Sequence, residues 1–97
     1  MRGLQPWLRP YAEYLVSLAR GQLKVTSVYR SPTEQLRLWH NRHRNPYPVA
    51  PPGTSYHEYG RAWDMVGPRE WLEWAGRTWQ SWGGSWGGAR DPIHFQA

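Results

Sequence analysis

Two short segments carry the features that most constrain this chain. The first runs from Ser55 to Asp64 and reads Ser-Tyr-His-Glu-Tyr-Gly-Arg-Ala-Trp-Asp, and the second runs from Asp91 to Phe95 and reads Asp-Pro-Ile-His-Phe. Together they supply two histidines and carboxylates from separate parts of the sequence. Two histidines and one carboxylate leave a tetrahedral Zn²⁺ one open position, and a second carboxylate can serve as general base. The pattern predicts a hydrolytic metal centre that the fold must assemble.

The spacing of the first segment predicts how two of the ligands meet. His57 and Asp64 have Gly60 between them, and glycine adopts positive φ at little cost. We expect a loop that carries His57 to reverse at Gly60 and to return as a short strand to Asp64.

The second segment predicts the third ligand and the base. Asp91 and His94 are three residues apart, which in a regular strand would place them on opposite faces. Pro92 fixes its own φ and biases Asp91 toward an extended or turn conformation. We therefore expect Asp91 at the entrance of a strand beside the metal, with Phe95 on the opposite face in the core. His57, Asp64 and His94 are the predicted ligands, and Asp91 is the predicted base.

Each of these residues alone has an ordinary interpretation, because a single His or Asp in a loop is most often a turn residue or a satisfied polar group. The joint pattern favours the site. Two other histidines, His40 and His43, lie at a basic helix end without an acidic partner. We interpret them as surface residues.

Composition predicts one small domain. A chain of 97 residues has room for a single core, to which its eight Trp and six Tyr can contribute large buried rings. We expect one catalytic domain over residues 1–97. The absence of cysteine excludes disulfides and thiolate zinc sites, so nitrogen and oxygen must hold any metal.

Periodicity predicts an α+β fold. Apolar residues recur at helical spacing from Leu4 to Leu18, and the helix should end at Arg20-Gly21. Alternation predicts a strand over residues 23–28, and Ser31 followed by Pro32 predicts a capped helix to about residue 41. Residues 42–54 read as a proline-rich loop, Pro68 opens a further helix, and residues 82–88 read as a glycine-rich loop before a closing strand at 93–96.

These residues resemble a known family, the LAS-type zinc peptidases, which comprise D-Ala-D-Ala carboxypeptidases and L-alanyl-D-glutamate peptidases, many of them phage endolysins. The family signature Ser-x-His-x-x-Gly-x-Ala-x-Asp is complete from Ser55 to Asp64. The segment from Val25 to Gln35 looks like the family's strand-then-helix element, with Arg30 and Gln35 in place. The resemblance covers about residues 6–96.

The end of the chain is similar to the L-alanyl-D-glutamate branch, because Trp-Gly-Gly-Ser-Trp at 82–86 precedes Asp-Pro-Ile-His-Phe-Gln at 91–96. The sequence departs from the family in two places. Val28 stands where a small residue is common, and the stretch between Asp64 and Trp82 is short.

The resemblance implies a small antiparallel sheet with flanking helices, the hedgehog/DD-peptidase-like zinc peptidase fold. It implies Zn²⁺ as cofactor and hydrolysis of the L-Ala-D-Glu bond in the peptidoglycan stem peptide. It favours a role for Arg30 at the substrate or a developing oxyanion, where the alternative from the residues alone is a surface ion pair with Glu34. Ser55, Gln35 and Trp86 are expected to bind substrate or to support the ligands, with loop or core packing as the alternative for Ser55 and Trp86.

Charge and targeting signals set the expected partners. The net charge is +5, and a basic cluster lies at Arg37 and residues 42–44. No nucleic-acid-binding motif accompanies it, so we expect attraction to anionic wall polymers and no nucleic acid partner. The N-terminus lacks the apolar region of an export signal, and no run has the length of a membrane span. We expect a monomer, without stable membrane insertion, that is made in the cytoplasm and acts on the wall after release, as endolysins do.

Three alternatives remain. The first is D-Ala-D-Ala carboxypeptidase activity on the same zinc chemistry. The second is a non-catalytic metal-binding module that binds the wall, against which Asp91 argues. The third is a non-haem Fe(II) oxygenase, but those enzymes space their first two ligands as His-x-Asp on a larger β-barrel, and strand signals here are too few.

Overall fold

A four-stranded antiparallel sheet and three helices make up the computed structural model, which describes residues 1–97. The helices are α1 (Arg9–Leu18), α2 (Pro32–His40) and α3 (Arg69–Ser81). The strands are β1 (Lys24–Ser27), β2 (Ala62–Val66), β3 (Ser85–Gly87) and β4 (Asp91–Gln96), and their order in the sheet is β1-β2-β4-β3. The predicted α+β class with a small antiparallel sheet and flanking helices is confirmed.

Local signals set the helix ends close to the predicted positions. The Ser31 hydroxyl accepts a hydrogen bond from the Glu34 backbone N–H at 3.2 Å, with Pro32 as the first residue of α2. This contact satisfies one of the free N–H groups at the helix start. Helix α1 ends just before Arg20 and Gly21, which both have positive φ.

One face of the sheet packs against α1 and α3. Trp63 of β2 stacks on Phe95 of β4 with ring centroids 5.4 Å apart, and Trp79 of α3 meets Trp63 edge-on at 4.9 Å. Side chains alternate along a strand, so the neighbours of these rings, Asp64 and His94, point to the opposite face. The core contains the following buried residues: Leu4, Leu8, Ala12, Leu15, Ala19, Leu23, Trp63, Met65, Leu72, Ala75, Trp79 and Phe95.

The prediction of a loop throughout residues 82–88 was wrong, because Ser85–Gly87 form strand β3. Trp86 pairs with Phe95, and Gly87 pairs with Asp91. A Cβ atom at Gly87 would lie 2.2 Å from the Asp91 carbonyl oxygen, and one at Gly84 would lie 2.0 Å from the Trp79 indole nitrogen. These glycines are needed for close packing of the hairpin rather than for a loop. None of the helices is long and apolar enough to span a membrane.

Candidate metal centre

The sheet and one turn bring the three predicted ligands together. Asp64 and His94 are direct partners across the β2-β4 pair, where Cβ atoms lie about 4.5–5.5 Å apart. His57 lies in a short 3₁₀ turn, Tyr56–Tyr59, that ends at Gly60 with φ 65°. The donor atoms of His57, Asp64 and His94 all lie within 4.8 Å of one another.

The spacing of the donor atoms fits zinc. Asp64 Oδ1 lies 3.2 Å from His57 Nε2 and 3.4 Å from His94 Nδ1. Donors at about 2.0–2.2 Å from a tetrahedral Zn²⁺ lie about 3.3–3.6 Å from each other. Two imidazoles and one carboxylate also match the three protein ligands of catalytic zinc sites, which leave one position open.

The backbone fixes the tautomer of His57. Its Nδ1–H donates to the Val28 carbonyl at 2.6 Å, which leaves the Nε2 lone pair directed toward Asp64. The Arg30 N–H in turn donates to the His57 carbonyl at 3.1 Å. Because Val28 acts through its carbonyl, its departure from the family's small residue does not remove this contact.

Gln96 orients His94 and was missed as a site residue in the sequence. Its Oε1 lies 2.7 Å from His94 Nε2 and accepts that N–H, so Nδ1 faces Asp64. Gln96 follows His94 by two residues in β4, and residues two apart share a strand face. That spacing was the available signal.

Charge is distributed unevenly among the ligands. Burial alone would raise the pKa of Asp64, but hydrogen bonds with His57 and His94 hold it well below its usual range. Burial would lower the pKa of His94, yet hydrogen bonds to Asp64 and Gln96 raise it above its ordinary value. In the metal-free protein, Asp64 is an anion that favours the protonated form of His94.

We predict that zinc uptake is coupled to proton release from His94. Because the pKa of His94 is raised, the proton competes with the metal for Nδ1 up to a higher pH than for an ordinary histidine. The apparent zinc affinity should fall about tenfold per pH unit below that pKa, with one proton released per metal. Calorimetric titrations in buffers of different ionisation enthalpy measure the released proton. A zinc affinity that does not change between pH 6 and pH 8 would contradict the prediction.

An irregularity in the β3-β4 pair places Asp91 beside His94. Trp86 pairs with Phe95 and Gly87 pairs with Asp91. Between these two pairs the chain moves by one residue in β3 and by four residues in β4. The extra residues of β4 change its alternation, and Asp91 and His94 line the same cavity. Burial raises the pKa of Asp91, the nearby His94 lowers it and the Asp64 charge raises it, with a net increase.

Trp86 supports this bulge from outside the cavity. Its indole N–H donates to the Pro92 carbonyl at 2.8 Å. The ring packs so closely on α3 that a Cβ atom at Gly76 would lie 2.0 Å from it. Trp86 does not line the cavity, and its contact with Pro92 favours support of the strand that carries Asp91 over contact with substrate.

Arg30 binds the metal-site carboxylate and not Glu34. Its Nη2 lies 3.5 Å from Asp64 Oδ2 and donates to Ser27 Oγ at 3.1 Å, while Nη1 donates to Gln35 Oε1 at 3.0 Å. Gln35 is almost completely buried and donates its amide to the Ala50 carbonyl at 2.7 Å. Arg30 and Gln35 therefore connect Asp64 to the loop that forms the cavity wall.

We predict that Arg30→Lys lowers kcat/KM at least about tenfold although the charge is kept, because one ammonium group cannot reproduce the planar fork. The expected loss includes weaker zinc binding, since Asp64 loses a partner. Metal analysis and kinetics on the same preparation measure both effects. Arg37→Lys, on the exposed surface of α2, is the matched control. Equal activity of Arg30→Lys and the native protein would remove Arg30 from the site.

The three predicted ligands and Asp91 all line one cavity of about 360 Å³. The proline-rich segment contributes Asn45 and residues 47–50 to its wall. Ser55 is buried and its hydroxyl accepts the His57 N–H at 3.3 Å, so it caps the turn that carries the ligand. His40 and His43 do not line the cavity and do not belong to the ligand group.

Comparison with known proteins identifies the fold. No protein-family model and no curated protein sequence matches the chain. Solved structures do match. The D,D-pentapeptidase VanY of a VanB-type vancomycin resistance cassette, solved as a mutant in complex with Zn(II), shares 20% identity at a TM-score of 0.73 over 96% of this chain and 71% of its own.

Two L,D-carboxypeptidases are similar in the same way. DacB from Streptococcus pneumonia shares 16% identity at a TM-score of 0.67, and LdcB shares 18% at 0.69. The alignments cover 98% and 97% of this chain but 66% and 65% of DacB and LdcB. The chain thus has the fold of the VanY, DacB and LdcB peptidases, as the resemblance of its motifs implied, and spans about two thirds of their length.

Proposed function

We propose that the protein is a zinc-dependent peptidase that hydrolyses the L-Ala-D-Glu bond of the peptidoglycan stem peptide. The observation that carries the proposal is the convergence of His57, Asp64 and His94 within 4.8 Å, with Asp91 in the same cavity. The fold supports it, since the similar structures are peptidases and one of them holds Zn(II). The set of donors suits zinc.

Each residue of the site has a separate task. Zinc held by His57, Asp64 and His94 would polarise the scissile carbonyl and lower the pKa of bound water to about 7. Asp91 would accept the proton of the attacking water at its carboxylate and deliver it to the leaving amine. Its raised pKa brings that proton exchange closer to neutral pH. Arg30 would hold Asp64 in place and present positive charge to the reacting carbonyl.

The contacts of Arg30 support an internal bond as the target. A carboxypeptidase must recognise the terminal carboxylate of its substrate, and Arg30 is the one Lys or Arg side chain that lines the cavity. Its two terminal nitrogens already contact Gln35, Ser27 and Asp64, so a bidentate grip on a carboxylate would have to displace these partners. The Trp-Gly-Gly-Ser-Trp element, which resembles the L-alanyl-D-glutamate branch, also supports cleavage of an internal bond.

Carboxypeptidase activity on the D-Ala end of the stem peptide is the second candidate. The similar structures favour it, because VanY is described as a D,D-pentapeptidase and DacB and LdcB as L,D-carboxypeptidases. A metal-binding module without catalysis is disfavoured by Asp91, which lies in the cavity with a raised pKa. We further propose that residues 1–97 act as one monomeric unit and that the charge of +5 steers it to anionic wall polymers.

The bond is tested by digestion of purified peptidoglycan with the zinc-loaded protein, followed by labelling of new termini and mass analysis. The expected products carry a free L-Ala carboxyl and a free D-Glu amine. Release of D-Ala from stem peptides that keep their L-Ala-D-Glu bonds would replace the proposed activity with that of a carboxypeptidase. Intact stem peptides would reject both.

A further inference from the structure

A groove lined by aromatic rings lies outside the metal centre. We define the aromatic groove by its four exposed rings, Trp7, Tyr11, Tyr14 and Trp82, between α1 and the end of α3; it encloses about 620 Å³. Their exposed fractions are 53%, 61%, 57% and 42%. Tyr14 and Trp82 stack with ring centroids 5.7 Å apart and planes 16° from parallel. A contiguous exposed apolar patch on a small protein is a common mark of a binding site.

The lining of the aromatic groove restricts its occupant. No charged side chain lines it, although the Arg61 guanidinium lies 6.0 Å from the Trp7 ring, and five of its nine lining residues are Trp or Tyr. A single-stranded nucleic acid would need cationic side chains along its phosphates. Flat rings with phenol hydroxyls instead suit an uncharged sugar, whose C–H face packs on the ring and whose hydroxyls and acetamido groups form hydrogen bonds.

The aromatic groove and the metal cavity are separate, and Arg61 and the end of β4 lie between them. The Arg61 Cζ atom lies 4.8 Å from the ring centroid of Tyr56, which lines the cavity, and 6.0 Å from that of Trp7. At the end of β4, Gln96 lines the cavity and Ala97 lines the groove. A ligand that occupied both would have to pass Arg61 and the end of β4.

We propose that the aromatic groove binds the N-acetylhexosamine glycan strand of peptidoglycan. The proposal rests on the proposed function, because it takes the L-Ala-D-Glu bond as the bond that enters the metal cavity. The stem peptide is attached to the glycan through L-Ala, so an L-Ala-D-Glu bond lies one residue from a sugar, whereas the D-Ala end lies far from it. Glycan rings whose lactyl carboxyl is amidated by the stem peptide carry no charge, which matches the groove. Stacking on Trp82 and Tyr14 would align the strand so that its peptide enters the cavity.

The direct test is calorimetric titration of the zinc-loaded protein with chitotetraose, a peptide-free tetramer of N-acetylglucosamine. We expect the native protein to bind it. Binding should weaken roughly five- to tenfold in Trp82→Ala and in Tyr14→Ala, the size of one ring-stacking contact. Tyr14→Phe, which keeps the ring, should retain binding. Leu36→Ala, which removes an exposed apolar side chain on α2, is the matched control and should bind normally. Zinc content and melting temperature verify that each variant is folded.

Two binding results would overturn the proposal: no binding of chitotetraose, or equal binding by all variants. Self-association measured by sedimentation, if abolished by Trp82→Ala, would assign the groove to a second copy and would also overturn it. Kinetics separate this inference from the proposed function. Trp82→Ala should raise KM for glycan-linked stem peptide and leave KM for the free peptide unchanged. If neither substrate is cleaved, the proposed function fails, and the sugar titration still decides the inference.

Discussion

Asp91→Asn should lower kcat/KM by about 10²- to 10⁴-fold, the usual contribution of a general base, while zinc content and fold remain those of the native protein. The asparagine amide has nearly the same shape but cannot accept the proton of the attacking water. Asp91 is not part of the ligand group, and its backbone is held by pairing with Gly87. Steady-state kinetics and elemental analysis of the same sample measure the two properties.

The matched control is Glu70→Gln, which neutralises an exposed carboxylate in α3 and should have native activity. Loss of zinc from Asp91→Asn would make Asp91 a ligand instead of the base. Turnover close to native would remove it from the chemistry.

His57→Ala and His94→Ala should each abolish stoichiometric zinc binding and with it measurable activity. Each substitution leaves one histidine and Asp64, and two donors hold zinc far more weakly than three. The melting temperature should also lose its dependence on added zinc, because a ligand present at 1,000 times its dissociation constant stabilises the fold by about 4 kcal/mol.

His43→Ala is the control for these variants, because His43 is exposed and lies outside the ligand group. It should keep one zinc per chain. Full metal stoichiometry in both His57→Ala and His94→Ala would mean that zinc binds elsewhere.

Features of the site that depend on local sequence could be predicted. Gly60 has the positive φ that returns the chain from His57 to Asp64, and Ser31 and Pro32 start α2 where capping residues require. Phe95 lies in the core and its neighbour His94 on the other face, as strand alternation demands. Each of these results depends on conformational preferences within a few residues.

Features that depend on contacts between distant segments could not be predicted. The glycines of residues 83–88 signalled a loop, and only the position of Asp91 and Trp79 against them shows that Gly84 and Gly87 permit close packing. The irregular β3-β4 pairing that brings Asp91 beside His94 is a property of two strands. Arg30 had Glu34 as its nearest acidic residue in sequence, yet its partner is Asp64, thirty-four residues away.

Zinc-dependent cleavage is measured most directly with one defined substrate, a glycan-linked stem peptide. The protein is compared in three states: zinc-loaded, after removal of the metal by a chelator, and after addition of one equivalent of Zn²⁺ to the stripped protein. Mass analysis of the products follows cleavage between L-Ala and D-Glu. We predict cleavage by the loaded protein, none by the stripped protein, and recovery at one zinc per chain. Equal cleavage in all three states, or none in any of them, would contradict a zinc peptidase built on His57, Asp64 and His94.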